Sequence, residues 1–207
     1  MRMTATAPTG RCFALTGGIA CGKSAVAALW RQWGAEVLDA DDVVHELLAP
    51  GGACVASVAG EFGPEVVAAG GGIDRLRLGR IVFADAAARQ RLEALVHPPV
   101  IGRMREWAAD VRRRGKIGVA VIPLLFETGL EAEFDATVCV AADDAVVLER
   151  LAARGLDAAE ARARMASQWP LAEKCARARY TIENNGSPAE LETASRALWK
   201  TMTEQGD

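Results

Sequence analysis

The sequence predicts an α/β fold: a five-stranded parallel sheet flanked by helices, carrying a helical insertion and a helical lid. Three observations lead there. Gly17–Ser24 reads G-G-I-A-C-G-K-S and matches G-x-x-x-x-G-K-[ST] at every fixed position, between an apolar run, Cys12–Thr16, and a helix-patterned stretch, Ala25–Trp33. Lys116–Ile122 and Ala136–Ala142 are continuous apolar runs rich in β-branched residues, as expected of strands buried on both faces. Helical stretches separate the strand candidates, which implies right-handed crossovers and a parallel sheet.

Taken in order, the first unit is strand, glycine loop and helix. Such a loop turns backbone N–H groups inward, and the helix behind it leaves its first N–H groups unpaired, so a polyphosphate is favoured there. Gly17, Gly18, Ile19, Ala20, Cys21, Gly22, Lys23, Ser24 and Ala25 are the candidate ATP contacts. Lys23 can reach the β- and γ-phosphates, and the Ser24 hydroxyl can take one position on Mg²⁺. A second strand, Ala35–Leu38, runs into Asp39-Ala40-Asp41. If the chain stays extended, both carboxylates share one face at the carboxyl edge of the sheet, beside the phosphates. The same residues also read as a helix start, with Asp41 or Asp42 capping Val43–Leu48.

Pro50–Gly72 is broken by Pro and Gly and reads as short helices joined by turns. Asp74 is placed to cap Arg75–Phe83, and Asp85 to cap Ala86–Val96. His97-Pro98-Pro99 is expected to interrupt the pattern before a helix over Val100–Arg114. Residues 53–114 therefore form the helical, substrate-binding insertion in a core made of 11–52, 115–142 and 178–207. Pro123-Leu124-Leu125-Phe126-Glu127 follows the third strand, and Tyr180–Ile182 is a short fifth. Between the last two strands, 143–177 is the expected lid. Its helix Ala145–Arg154 stops at Gly155, and Asp157 with Glu160 reads as a capping box for the next helix. Arg150, Arg154, Arg162 and Arg164 lie here; a solvated helix face accounts for most such arginines. Arg154, at the helix end beside a hinge-like glycine, is the candidate to meet the transferring phosphate.

A net charge of −3 argues against nucleic acid as partner, and no run approaches the roughly 18–20 apolar residues of a membrane span. Met1–Gly10 lacks the apolar centre of a signal peptide and reads as a frayed tail, so a cytoplasmic protein is expected. The five cysteines are odd in number and widely spaced, which fits reduced thiols and no structural metal. Cys21, near a helix N-terminus and Lys23, is expected to be the most reactive, unless its sulfur turns toward packing.

These residues resemble the dephospho-coenzyme A kinase family. The resemblance is carried by Thr16-Gly17-Gly18-Ile19 to Ser24, Asp39-Ala40-Asp41, Asp74-Arg75, Val82-Phe83, Leu92-Glu93 with His97-Pro98, Pro123 to Glu127, Gln168 and Asn184-Asn185-Gly186. It implies a P-loop kinase of the nucleoside-monophosphate-kinase type, in which ATP, with Mg²⁺, phosphorylates the ribose 3′-hydroxyl of dephospho-coenzyme A. By that match Asp41 is the catalytic aspartate and Asp39 orders Mg²⁺ through water. Thr16, Asp39, Asp41, Arg75, Phe83, His97, Leu124, Leu125 and Glu127 fall to the acceptor substrate, Arg150 and Asn184 to ATP. His97 is equally readable as a helix-end or core residue, and Glu127 as a cap. A monomer or weak oligomer is expected. Where the family's loop commonly reads Gly-Ser-Gly-Lys-Ser-Thr, this one reads Ala20-Cys21-Gly22-Lys23-Ser24-Ala25, and Arg179 stands where the family commonly has Asp. Other small-molecule kinases share the loop. A GTPase switch would add an Asn-Lys-x-Asp run, which is missing.

Overall fold

β1 (Arg11–Gly17) is the strand on which the fold is built: Cys12 to Thr16 are all 3% exposed or less, as a strand covered on both faces must be. The structure is a computed structural model that describes residues 10–204. The sheet adds β2 (Glu36–Asp39), β3 (Ile117–Val121), β4 (Ala136–Ala141) and β5 (Tyr180–Glu183) in the order β2-β3-β1-β4-β5, all parallel. Ala14 pairs with Ala120 on one side and Thr137 on the other. The chain goes to one side of β1 for β2 and β3 and to the other for β4 and β5. The carboxyl end of β1 therefore lies where connections diverge, the place at which open α/β sheets bind ligands.

Helices follow the strands. α1 (Lys23–Gln32) buries Val26, Ala27 and Trp30, spaced for one face, and Trp30 stacks obliquely on Trp199 at 5.8 Å. Its indole N–H donates to Ser195 O at 3.3 Å, which satisfies the one polar atom of a fully buried ring. Trp199 lies on α9 (Pro188–Glu204), which opens on a reciprocal capping box: the Ser187 N–H and hydroxyl donate to Glu190 Oε2, and the Glu190 N–H donates to Ser187 Oγ. α6 (Asp144–Ala152), α7 (Ala158–Ala166) and α8 (Leu171–Arg177) lie between β4 and β5. Asp157 caps α7 through the Glu160 N–H, while Glu160 Oε1 turns to Arg164.

By its packing the chain falls into two compact units, one made of the stretch up to Leu38 with the chain from Ala108 onward, the other Asp39–Trp107. The second holds α2 (Ala40–Leu48), α3 (Val55–Phe62), α4 (Arg75–Ala84) and most of α5 (Ala86–Arg113). Its small core includes the fully buried Val58 and Val66, and the Ile73 N–H closes it by donating to Leu48 O. Asp74 caps α4 as expected, accepting from the Leu76 and Arg77 N–H groups.

Several expectations are corrected here. The chain does not stay extended through Asp39-Ala40-Asp41: α2 begins at Ala40, and its cap is Asp39, whose Oδ1 accepts from the Asp41 N–H at 2.9 Å. His97-Pro98-Pro99 does not interrupt a helix, because α5 runs through both prolines. Pro99 cannot donate to Leu95 O, and Cys54 Sγ stands 4.0 Å from that carbonyl, a weak replacement for the lost N–H. The expected insertion, 53–114, differs from the second unit at both ends. The expected lid, 143–177, is helical but sits in the first unit, where Val147, Leu151 and Ala161 join the main hydrophobic core. The expected frayed tail lies outside the described residues except Gly10, whose N–H donates to Arg112 O. Among the described residues no helix is long and apolar enough to cross a membrane.

Candidate active site

β1 delivers the phosphate loop. Gly17 has φ 140°, and a Cβ there would stand 2.1 Å from Val140 O, so only glycine lets β1 end this close to β4. Gly22, at φ 106°, caps α1 with no side-chain hydrogen bond, and no acid occupies the first turn. The positive end of α1 is thus unscreened where an anion would sit. Lys23 Nζ donates to Gly17 O at 3.0 Å and Gly18 O at 2.8 Å, folded back across the loop. Ser24, the second residue of α1, is exposed.

The loop is braced from β5 and α6. Asn184, 6% exposed, donates from Nδ2 to Cys21 O at 2.7 Å. Arg150 donates to Ala20 O at 3.3 Å, to Asn184 O at 2.9 Å and to Asn184 Oδ1 at 3.3 Å. Two loop carbonyls are so held, which fixes which way the adjoining N–H groups face. Arg150 and Asn184, expected as ATP contacts, spend these groups on the loop itself. Cys21 is 1% exposed, with its sulfur against Gly18, and burial pushes its thiol up against the lowering pull of Lys23. The expectation of a reactive loop thiol is overturned; the packing alternative holds. Arg154 is exposed in the turn between α6 and α7, beside Gly155 at φ 84°.

A second cluster occupies the end of β3. Thr16, fully buried, donates to Pro123 O at 3.3 Å. Lys174 on α8 is fully buried as well, and its ammonium donates to Pro123 O and to Glu127 Oε1, both at 2.7 Å. Glu127 Oε1 also accepts the Trp169 N–H at 3.0 Å. Leu125 is fully buried and belongs to the core, while Leu124 is half-buried. The side chains expected to contact substrate at Thr16 and Leu125 are fully buried, the first in a hydrogen bond to Pro123 O and the second in the core. Lys174 was missed. Its signal was present: three residues after Leu171, it falls on the face that the helical period assigns to the core.

In the second unit Asp41 is exposed in the first turn of α2. Arg75 donates to His45 Nδ1 at 2.8 Å. Phe83, on α4, is 82% exposed, and His97 is half-buried within α5.

A family model described as dephospho-CoA kinase matches residues 11–190. The chain belongs to the dephospho-CoA kinase family. It is 49% identical over 183 residues to the dephospho-CoA kinase of Anaeromyxobacter dehalogenans, covering 87% of each chain. Among solved structures it is similar to TT1252 from Thermus thermophilus, with 37% identity, TM-score 0.78, and 95% and 98% of the two chains covered. It also matches the dephospho-CoA kinase from Campylobacter jejuni, with 25% identity, TM-score 0.68, and coverage of 93% and 97%. As a dephospho-CoA kinase family member it is an ATP-dependent kinase, a transferase. In the loop Ala20 adopts φ 55°, the one left-handed non-glycine among the described residues. Arg179 lies over the Tyr180 ring and donates to its hydroxyl.

Proposed function

We propose that this protein transfers the γ-phosphoryl group of ATP to the ribose 3′-hydroxyl of dephospho-coenzyme A. The phosphate loop, with Lys23 at the uncapped start of α1, is the observation that carries the ATP half. The family match over residues 11–190 supports the acceptor.

In the transfer the 3′-oxygen bonds to the γ-phosphorus as the bond to the β,γ-bridging oxygen breaks, through a loose transition state served by alignment and charge. Lys23 exchanges two carbonyl acceptors for phosphate oxygens, which are stronger partners for an ammonium. Asp41 accepts the hydrogen bond of the 3′-hydroxyl and takes its proton late, as the 3′-oxygen bonds to phosphorus and the hydroxyl becomes acidic, then releases it to water. Arg154 supplies positive charge to the transferring group, while Arg150 and Asn184 keep the loop in shape. Phe83 holds a ring out to water at a cost in free energy that contact with the acceptor would recover. Arg75, His97 and Leu124 complete the acceptor side in this reading, whereas Glu127, bonded to Lys174 and the Trp169 N–H, holds the turn behind it. The residues fit a divalent cation: Mg²⁺ prefers phosphate and water with few protein oxygens, and the exposed Ser24 hydroxyl, with Asp39 through water, would hold it. When bound, the cation supplies charge neutralisation on the phosphates. In the same reading the protein works as a monomer or weak oligomer in the cytoplasm.

A coupled ADP-release assay tests the acceptor. Dephospho-coenzyme A should be turned over with a kcat/KM at least about 10²-fold above shikimate, gluconate or nucleosides, the size of a discrimination that rests on paired polar groups. Turnover of one of those acceptors at a matching rate would reject the assignment.

A further inference from the structure

A lysine without exposure is seldom explained by stability. Taking an ammonium and a carboxylate out of water costs several kcal/mol per ion, and apolar residues of equal volume often serve the fold as well. Lys174 nonetheless reaches the Glu127 carboxylate and the Pro123 carbonyl, each at 2.7 Å, from a fully buried position. The groups it gathers come from three segments of one unit. Pro123 O also accepts from Thr16, the residue before Gly17, so the end of β3 is tied to the start of the phosphate loop. Glu127 accepts from the Trp169 N–H, in the link between α7 and α8, so the same carboxylate anchors the root of the segment that carries Arg154 and Arg164. Leu171, one turn before Lys174, stands 3.7 Å from where a Cβ on Gly18 would be, so α8 abuts the loop directly. Glu127 Oε2 is buried with no hydrogen-bond partner, which makes this carboxylate costly to hold unless Lys174 compensates it.

We propose that Lys174 is a positioning residue for phosphoryl transfer, its ammonium locking the Pro123–Glu127 turn, the start of the phosphate loop and the α7–α8 link into one geometry. It touches no reacting atom. Its effect is to hold Thr16 and Glu127, and through them the loop and the arginine-bearing segment, where small displacements are expensive: a misplacement of roughly 1 Å can cost about 10²-fold in rate.

The inference rests on the kinase reading above, and the test separates the two. The parent, Lys174→Met, Glu127→Gln and the double variant are compared for Tm and for steady-state kinetics with Mg-ATP and dephospho-coenzyme A. Each single variant leaves one buried charge unpaired and should melt well below the parent, whereas the double should recover to within about 3 °C of it. The kcat of the double should nevertheless stay about tenfold or more below the parent, with KM for ATP within about threefold, and no lower than that of Lys174→Met, because the two groups act as a unit. A double variant with parental kcat makes the pair structural and overturns the inference. Losses that multiply between the singles overturn it too, since the groups would then act independently. A parent that does not phosphorylate dephospho-coenzyme A overturns the kinase reading, and the inference with it.

Discussion

Ala20 occupies a left-handed conformation, φ 55°, that costs an L-residue with a Cβ roughly 1–2 kcal/mol. The surrounding bonds enforce it, since Arg150 holds Ala20 O and Asn184 holds the next carbonyl. Ala20→Gly should therefore stabilise the protein by roughly 0.5–1 kcal/mol once the added freedom of the unfolded chain is subtracted, raising Tm by about 1–4 °C. A fall in Tm on thermal melting would mean that the Ala20 methyl contributes more packing than its backbone costs. At the next residue, burial decides over charge. Cys21 lies near an ammonium and a helix start, yet its thiol is pushed up because the thiolate would have to be desolvated. Cys139 is raised likewise, first by burial and then by Cys175, whose Sγ is 3.5 Å away. With a small alkylating reagent at neutral pH, mapped by mass, the half-exposed Cys175 should label first, and Cys21 should react no faster than the other buried thiols, Cys12, Cys54 and Cys139. Preferential labelling of Cys21 would mean that the loop opens far more often than its bracing allows.

At the scale of an element, the junction of β2 and α2 carries two aspartates with different duties. Asp39 is the helix cap, so Asp39→Ala should cost about 1 kcal/mol of stability, whereas Asp39→Asn should keep the cap, because Asn serves that position as well as Asp. Asp41→Asn should leave stability unchanged and lower kcat by about 10²-fold, the usual size of a lost general base. The reverse ranking in kcat, with Asp39→Asn the worse at saturating Mg²⁺, would exchange the two roles. The start of α9 offers a pH test. Hydrogen bonds from the Ser187 backbone and then its hydroxyl hold the Glu190 carboxyl below its ordinary value of 4.5. The contribution of the box is complete above that value and fades as pH falls through the lower folded one. Glu190→Gln should therefore flatten the acid-side decline of Tm relative to the parent, and parallel curves for the two proteins would show that the box adds nothing in acid.

For the whole molecule, binding and folding are linked. A nucleotide that binds only the folded chain stabilises it by about 2.7 kcal/mol at a hundred times its Kd, or roughly 5–10 °C in Tm for a chain of this size. Lys23→Ala removes the one loop side chain placed to meet the phosphates and should abolish most of that shift along with turnover, while leaving the unliganded Tm within a few degrees of the parent's, because the Lys23 ammonium donates to Gly17 O and Gly18 O within the loop itself. A full ATP shift in Lys23→Ala would place the nucleotide elsewhere.

The sequence by itself determined the sheet, the phosphate loop and the helix caps at Asp74 and Asp157, since each depends on residues a few positions apart: the period of an apolar run, a glycine spacing, an aspartate before a helix. It also carried the family, because motifs keep their order along the chain. The tertiary structure alone decided what each polar group would bond to. Asp39-Ala40-Asp41 fits a strand end as well as a helix start, and only the packing of Ala40 and Val43 into the second unit turned it into a helix. A proline pair ends most helices, yet α5 runs through Pro98 and Pro99, and the sulfur that stands 4.0 Å from the carbonyl Pro99 frees belongs to Cys54, 41 positions from it. The helical period places Lys174 on the inner face of α8, but its partners, 47 and 51 positions away, are settled only when the fold brings them to it. Such bonds join residues that no local period relates, and burial, which sets their strength and the state of Cys21, exists only once the chain has folded around them.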